Sequence, residues 1–254
     1  MRRRFGQHLL IDENVVNREI KYAEISSDDV ILEVGPGKGI LTKLLAEKAK
    51  KVIAVEIDKD FVEYLKDMLS ENVEVIHADV LKIDFFKLTP FNKVVANLPF
   101  KISSPFTFKL LRYPSFSKAV MIYQKEFAER MVAEPHSKKY SRLTVAVYYK
   151  SYCRILETVP KSAFRPMPKV DAAIVEVTPR KKPPFPVLNE KLFFSLTNLL
   201  FSQRRKHIGG VIMKKYGVDV PFSDKRVEEL TPEEIGEISN VIAEALQSRE
   251  KLFN

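Results

Sequence analysis

The chain has 254 residues, 45% of them apolar, and a formal net charge of +9. This length and apolar content exclude a disordered chain, and no run approaches the ~20 apolar residues of a membrane span, so we expect no membrane partner. The positive charge favours a polyanionic partner, nucleic acid before acidic membrane, although basic surfaces also serve solubility.

The one cysteine and the four histidines argue against metal or disulfide chemistry. Cys153 lies in a strand-like run among tyrosines, which predicts a packed thiol rather than a nucleophile. The histidines show no metal-ligand spacing, so we expect no metal. The start is basic (residues 2–4), but Phe5-Gly6-Gln7-His8 stands where a signal peptide needs its apolar core. We expect a cytoplasmic protein that is complete from its first residue.

The strongest local signal is a strand, a glycine loop and a helix in succession. Residues 29–34 form an apolar strand pattern, Gly35-Pro36-Gly37-Lys38-Gly39 follows, and residues 40–46 have helical spacing. Such a unit opens a nucleotide-binding α/β domain, because its glycines let the backbone approach a ligand. The spacing is Gly-x-Gly-x-Gly, which suits a ligand without phosphate, such as S-adenosylmethionine, better than a dinucleotide. A nicotinamide dehydrogenase is the weaker alternative.

Polar residues end the next three predicted strands. Glu56 lies 21 residues after Gly35, near the ~20 expected for a carboxylate that holds a ribose. Asp79 ends the third strand and Asn97 follows the fourth. Each acid alone is more often a helix cap, but parallel strands bring their carboxyl ends to one edge, where such sheets bind ligands. We therefore expect one site bordered by these residues.

The stretch Asn97-Leu98-Pro99-Phe100 suits gripping a flat ring that carries an amino group. The Asn97 side chain offers a carbonyl acceptor, and Pro99 favours an extended Leu98 whose carbonyl can point away from the sheet. Phe100 offers a face on which a base can stack. Alone, the stretch also fits a strand end and a proline turn; its place beside the glycine loop favours a site.

The second half of the chain predicts more strands and then helices. The strands lie at residues 119–123, 152–159 and 172–177, the last of them antiparallel, and residues 143–149 fit either a helix or a strand. Phe164, in a stiff loop, fits a second wall for a base or packing under that loop.

A proline-rich linker at residues 180–186 precedes helical patterns at 190–200, 202–207 and from 231 onward. We expect an α/β domain over 1–180 with a basic N-terminal segment, and a small helical domain over 185–254. Arg204, Arg205 and Lys206 suit phosphate contacts, although a solvated helix face fits equally well.

Taken in order, these motifs resemble the rRNA adenine dimethyltransferases of the KsgA type, in an archaeal-like form, over nearly the whole chain. The motifs that carry the resemblance are Phe5-Gly6-Gln7-His8-Leu9-Leu10, Glu33-Val34-Gly35-Pro36-Gly37, Glu56-Ile57-Asp58, Ala78-Asp79, Asn97-Leu98-Pro99-Phe100, Gln124-Lys125-Glu126, the loop 164–171 and Gln203-Arg204-Arg205-Lys206. Two positions depart from the family pattern. His8 is often Asn in bacterial members, and Phe100 stands where many members have Tyr, so only stacking carries over to it.

The resemblance implies an α/β fold, a Rossmann-like S-adenosylmethionine-dependent methyltransferase sheet over 1–180 with a small C-terminal helical RNA-binding domain over 185–254, and the following roles. The cofactor, S-adenosylmethionine, is held by His8, Leu10, Gly35, Gly37, Glu56 (ribose), Asp79 (adenine amine) and Asn97. The catalytic residues are Asn97, Leu98 and Phe100, and RNA contacts come from Phe164, Arg204, Arg205 and Lys206. The implied activity is dimethylation of two adjacent adenines near the 3′ end of small-subunit rRNA, by a monomer acting on the small subunit or its precursor.

Two other functions fit the same motifs. One is a ribosome assembly factor that binds small-subunit precursors, with methylation incidental. The other is a large-subunit rRNA adenine methyltransferase, which shares much of the pattern. Leu98, where those enzymes commonly have Ile, and the basic run at 204–206 favour the small-subunit enzyme.

Overall fold

The computed structural model describes residues 8–113 and 115–252. The basic segment expected at residues 2–7 lies outside this range. Within the described residues there are two compact units, one made of residues up to 129 with 151–179 and the other of residues 130–150 with those from 180 onward. The predicted domain boundary differs in one respect, because residues 130–150 pack with the helical unit rather than with the sheet.

The strands are β1 (Leu9–Leu10), β2 (Val30–Val34), β3 (Lys51–Glu56), β4 (Val73–His77), β5 (Lys93–Asn97), β6 (Lys118–Gln124), β7 (Ser151–Val159), β8 (Phe164–Arg165) and β9 (Ala172–Pro179). The helices are α1 (Glu13–Ala23), α2 (Ile40–Ala46), α3 (Lys59–Met68), α4 (Ser103–Leu110), α5 (Lys125–Met131), α6 (Arg142–Lys150), α7 (Glu190–Ser202), α8 (Ile208–Tyr216) and α9 (Pro232–Leu252).

The first unit is built on a seven-stranded sheet in the order β4-β3-β2-β5-β6-β9-β7. Its central strands are parallel and nearly continuous apolar runs, as expected for strands that are covered on both faces. β9 is antiparallel to both β6 and β7, so the expectation of an antiparallel last strand is confirmed. The chain order reverses between β2 and β5, and ligands of open α/β sheets bind beside such a point.

A second, two-stranded sheet pairs β1 with β8 in antiparallel fashion. Leu10 lies opposite Phe164, and the backbone N–H of Ile11 donates to the Ala163 carbonyl at 2.9 Å. Two-residue strands are shorter than the pattern that identifies a strand in sequence, which is why they were not predicted. This pairing fixes the start of the described chain beside the loop that contains Phe164.

The second unit is helical and has its own apolar core. Val145 and Tyr149 of α6 pack in one cluster with Phe193 and Leu196 of α7 and Ile238 of α9. Residues 143–149, which the sequence left as helix or strand, therefore belong to a helix. Their apolar face explains why residues 130–150 join this unit.

The helix predicted over 202–207 is wrong. α7 ends at Ser202, Gln203 follows as its C-terminal cap, and α8 begins only at Ile208. Arg204 is held in the intervening turn, where its guanidinium pairs with Glu228 and donates to the carbonyls of Ser137 and Lys138. These long-range contacts favour a turn over one more helical turn.

Candidate active site

Two glycines of the loop, Gly35 and Gly37, adopt backbone conformations that favour glycine. Gly35 has φ +72° and Gly37 has φ +53°, a left-handed conformation that L side chains rarely adopt. A Cβ on Gly37 would stand 2.8 Å from Leu9 Cδ2, so the end of the Leu9 side chain would have to move. A Cβ on Gly35 would stand 3.5 Å from Pro99 Cδ, at ordinary contact distance beside the Asn97 strand end. The positive φ angles are therefore the main reason for glycine at both positions.

Glu56 ends β3 and is 1% exposed. Its Oε1 accepts from the backbone N–H groups of Ile57 and Asp58, each at 2.9 Å, and its Oε2 accepts from Gly37 N–H at 3.2 Å. Burial raises the pKa of this carboxyl, and these three backbone donors act in the opposite direction. A carboxylate offers about four acceptor positions, so Oε2 retains one for a ligand hydroxyl.

Asp79 follows β4 at the same sheet edge. Its Oδ1 accepts from Leu81 N–H at 2.9 Å, which caps the turn after the strand. Among the described residues, none donates a hydrogen bond to its Oδ2, so this half-buried carboxylate keeps an oxygen for an amino group. Its capping and binding roles are thus compatible.

Asn97 ends β5 between β2 and β6, with Ile122 as its partner on β6. Its Oδ1 is buried and has no hydrogen-bond partner among the described residues. Leu98 is 3% exposed, and Pro99 leads into a short 3₁₀ turn over Phe100–Ile102 that continues into α4. The stretch thus presents one unsatisfied amide oxygen and one half-buried aromatic ring.

His8 and Phe164 frame the ring of Phe100. The ring centroids of His8 and Phe100 are 5.8 Å apart, and those of Phe100 and Phe164 are 6.3 Å apart with planes at 63°. His8 Nδ1 lies 2.6 Å from the Pro166 carbonyl, so Nδ1 carries the proton and donates, and Nε2 is the free ring nitrogen. Phe164 is 2% exposed and both packs in the core and lines the space beside Phe100.

Three cavities lie around the end of β5. Pro99 lines the first and the third, and Asn97 lines the second and the third. The first, of about 110 Å³, includes Gly35, Glu56, Asp79, Pro99 and Lys101 in its walls. The second cavity has a volume of about 100 Å³ and the third a volume of about 10 Å³. Shared lining residues join all three into one cleft. The second is lined by His8, Leu10, Glu33, Gly35, Lys38, Asn97 and Arg165, among others, and the third by His8, Asn97, Leu98, Pro99, Phe100, Ile122 and Phe164.

The structure therefore brings together most of the residues predicted from sequence. Gly35, Glu56 and Asp79 line the first cavity, and His8 and Leu10 line the second. Gly37 is joined to them through its hydrogen bond to Glu56. Leu98, Phe100 and Phe164 line the third cavity, and Asn97 borders the second and the third.

The basic residues predicted to contact RNA lie in the helical unit and are not equivalent. Arg204 is held by Glu228 at 2.5 Å and by two backbone carbonyls, so its guanidinium stabilises the fold of this unit. Arg205 and Lys206 are exposed, and Lys206 Nζ donates to Gln203 Oε1 at 2.9 Å. The structure shows these intramolecular contacts of Arg204, and its contact with phosphate stays a prediction.

A buried acidic pair at the cleft was not predicted from the sequence; one member, Glu33, lines the second cavity. Glu33 of β2 and Glu19 of α1 are 1% and 0% exposed. Burial raises the pKa of Glu33 from 4.5 to about 8 and raises that of Glu19 as well. The available signal was helical spacing, because Glu19 shares the buried face of α1 with Val15, Val16 and Ile20.

Glu33→Gln is expected to change the pH dependence of stability. A carboxyl whose pKa is higher in the folded state stabilises the fold fully below its unfolded value, and this stabilisation is lost as the pH rises to about 8. The variant should therefore gain stability relative to the parent chain between pH 5 and pH 8, measured by urea unfolding. If the difference in free energy of unfolding between the variant and the parent chain is the same at pH 5 and pH 8, the raised pKa of Glu33 is contradicted.

The fold and cleft define a class of protein, the S-adenosylmethionine-dependent methyltransferases of Rossmann-like fold. The cleft fits that cofactor, because it offers a free acceptor at Glu56 Oε2, another at Asp79 and glycine backbone at the β2 end. The family model of ribosomal RNA adenine dimethylase matches residues 1–244. The chain therefore belongs to the ribosomal RNA adenine dimethylase family.

Relatives and solved structures agree with this membership. A probable ribosomal RNA small subunit methyltransferase A of Methanosarcina acetivorans is 46% identical, with 96% of this chain and 94% of the relative covered. The protein of the same description in Pyrococcus abyssi is 44% identical, with 95% and 91% covered. A dimethyladenosine transferase from Plasmodium falciparum superimposes with a TM-score of 0.79 at 31% identity, covering 91% of this chain and 96% of that one.

A further solved structure, the 23S rRNA methyltransferase ErmE, superimposes with a TM-score of 0.70 at 28% identity, covering 92% of this chain and 99% of that chain. Both structures match the length of this chain, including its helical part. The predicted fold class, a Rossmann-like methyltransferase sheet followed by a small helical part, is confirmed. So is the predicted enzyme class, an rRNA adenine dimethyltransferase that uses S-adenosylmethionine. Among the described residues, no helix is both long and apolar enough to cross a bilayer.

Proposed function

We propose that this chain dimethylates the exocyclic amino groups of two adjacent adenines near the 3′ end of small-subunit rRNA. The observation that carries the proposal is the buried Asn97 Oδ1, which has no partner in the described structure. Asn97 lines both the second cavity, beside Gly35, and the third cavity, beside Phe100, which we call the acceptor cavity. A buried acceptor without a donor is costly in a folded protein, so it is retained where a ligand supplies the donor. An adenine amino group supplies it.

The cofactor supplies an electrophilic methyl group, and the protein supplies its position. Glu56 Oε2 takes a ribose hydroxyl, Asp79 takes the cofactor's adenine amine, and Gly35 allows close approach of the backbone. Leu10 and His8 close the opposite wall. These roles use acceptors that the fold leaves free.

The target nitrogen is a weak nucleophile because its lone pair is delocalised into the ring. Asn97 Oδ1 and the Leu98 carbonyl accept its two N–H bonds, which favours localisation of the lone pair and stabilises the positive charge that develops during transfer. The proton then leaves to water. After one transfer only one N–H remains, so the pocket accepts a methyl group where the second acceptor pointed.

Phe100 holds the face of the target base. Its half-buried ring lines the acceptor cavity, and base–aromatic stacking contributes ~1–3 kcal/mol. The cavity is about 10 Å³, and a base between two aromatic faces needs them about 7 Å apart at van der Waals contact. Phe164 therefore rotates or withdraws from its tilted position to become the second wall.

The substrate is presented as unstacked RNA rather than as a duplex. A base must leave its stack to enter such a pocket, which costs least in a loop or at a helix end. The small-subunit assignment follows relatives of that description at 44% and 46% identity, against 28% for the 23S rRNA enzyme. The enzyme acts in the cytoplasm as a monomer on the small subunit or its precursor, and contributes to its maturation.

Arg205 and Lys206 are the RNA-contacting residues of the helical unit, and Arg204 supports the fold. The double reversal Arg205→Glu with Lys206→Glu should weaken subunit binding, lower its salt dependence and leave Tm unchanged. Arg204→Ala should instead lower Tm by a few degrees, since it breaks the ion pair with Glu228 and strands two carbonyls. Equal loss of Tm in both variants would contradict this division.

The proposal is tested by transfer of labelled methyl groups to purified ribosomal subunits that lack the modification. Small subunits should become labelled and large subunits should not. Transfer to large subunits alone would replace this function by that of a large-subunit enzyme.

A further inference from the structure

Glu19 is the least expected group near the cleft. It lies in the middle of α1, is 0% exposed, and neither carboxyl oxygen has a hydrogen-bond partner in the described part of the chain. Its neighbours on the buried face of the helix, Val15, Val16, Ile20 and Ala23, are all apolar. Burial of a carboxyl without a partner destabilises a fold, so a glutamate on an apolar face indicates a functional role.

The polar neighbours that act on Glu19 are Glu33 and Asn97. Burial raises the pKa of Glu19 most, the nearby Glu33 raises it further, and the Asn97 amide lowers it. α1 packs against β5, the strand that ends at Asn97, although no hydrogen bond joins the Glu19 carboxyl to the Asn97 amide in the described structure. Among the described residues, no lysine, arginine or histidine forms an ion pair with Glu19, and burial favours the protonated form of this carboxyl.

Five oxygen atoms in this cluster lack partners among the described residues, and one arrangement satisfies four of them. These atoms are Oε1 and Oε2 of Glu19, Oε2 of Glu33, Oγ1 of Thr42 and Oδ1 of Asn97. In that arrangement Asn97 Nδ2 donates to one Glu19 oxygen, the O–H of a protonated Glu19 donates to Glu33 Oε2, and the Thr42 hydroxyl donates to the Glu33 carboxyl.

This arrangement leaves Asn97 Oδ1 as the one acceptor without a donor. The oxygen and nitrogen of an amide differ little in shape, so packing alone does not fix which of them faces the cleft. A hydrogen-bond acceptor behind the amide does fix it, because it attracts Nδ2 and turns Oδ1 away.

We propose that Glu19 is a positioning residue that holds the Asn97 amide with Oδ1 directed at the substrate amino group. This inference rests on the role given to Asn97 in the proposed function. Glu19 contacts neither cofactor nor RNA and acts only through Asn97. An amide turned the other way would present N–H donors to the N–H bonds of the substrate and would repel it.

The test compares Glu19→Leu with Glu19→Gln. Leu fills similar space without an acceptor, so kcat should fall by about 10- to 100-fold, the cost of a misplaced catalytic group. Its Tm should stay level or rise, because a buried carboxyl is replaced by an apolar group. Gln keeps a carbonyl for Asn97 Nδ2 and an N–H for Glu33, so it should restore most of the rate. Glu13→Leu, at an exposed position of the same helix, is the matched control.

Each outcome decides the inference. A normal kcat for Glu19→Leu alongside an inactive Asn97→Ala overturns the role of Glu19 and leaves the proposed function intact. A loss of kcat that accompanies loss of Tm in both Glu19 variants also overturns it, because Glu19 would then be structural. If Asn97→Ala itself keeps full activity, the proposed mechanism fails first, whatever the Glu19 variants show.

Discussion

Asn97→Ala is expected to reduce methyl transfer by about 10²–10³-fold, the loss seen when one preorganised partner of a developing charge is removed. The substitution removes Oδ1, the buried acceptor of a residue that lines both the second cavity and the acceptor cavity beside Phe100. The rate is measured in single-turnover transfer from S-adenosylmethionine to unmodified small subunits, with cofactor affinity measured separately by calorimetry.

Asn17→Ala is the matched control, because Asn17 is exposed on α1 and does not line any of the three cavities described above. Its rate should equal that of the parent chain. A rate for Asn97→Ala within about threefold of the control would show that Asn97 does not stabilise the transition state, since ~0.7 kcal/mol is less than one ordinary hydrogen bond.

Glu56→Ala is expected to weaken cofactor binding by about 10- to 100-fold, the value of a hydrogen bond to a charged group. It also strands the N–H groups of Gly37, Ile57 and Asp58, so the apo protein should lose stability. Calorimetric titration with S-adenosylhomocysteine measures the first effect, and thermal unfolding measures the second.

A cofactor analogue separates the ribose contact from the loss of structure. The parent chain should bind an analogue that lacks one ribose hydroxyl more weakly than the full cofactor, whereas Glu56→Ala should bind both equally. Glu47→Ala, at an exposed position after α2, should behave as the parent chain. If Glu56→Ala still discriminates between the two ligands, the hydroxyl is read by another residue.

The cofactor cleft could be predicted because its residues follow a rule of topology. Glu56, Asp79 and Asn97 each end an apolar strand, and parallel strands bring those ends together whatever the rest of the chain does. The glycine loop adds local backbone chemistry that does not depend on packing. Each of these signals lies within a short stretch of sequence, so it can be recognised before the fold is known.

What could not be predicted depends on contacts between distant residues. The ion pair of Arg204 with Glu228 joins two residues that are far apart in sequence, and no local pattern indicates it. The pairing of Leu10 with Phe164 involves strands too short to leave a pattern. Residues 143–149 were ambiguous because a short apolar run fits a strand or a buried helix, and only the partner, Phe193, decides.

Glu19 illustrates an intermediate case. Its place on the apolar face of α1 was readable from spacing, but a single glutamate in a helix is ordinarily solvated. Its significance comes from the orphaned Asn97 Oδ1 and the nearby Glu33, which only the folded chain brings together. Function at this site therefore involves side chains behind the cleft as well as those that line it.

The most direct test of the account is nucleoside mass spectrometry and sequence mapping of rRNA from unmodified small subunits incubated with the protein and S-adenosylmethionine. The account predicts N6,N6-dimethyladenosine at two neighbouring positions near the 3′ end, absent when Asn97→Ala is used. Methylation confined to another base, to another atom of adenine, or to scattered positions would contradict it.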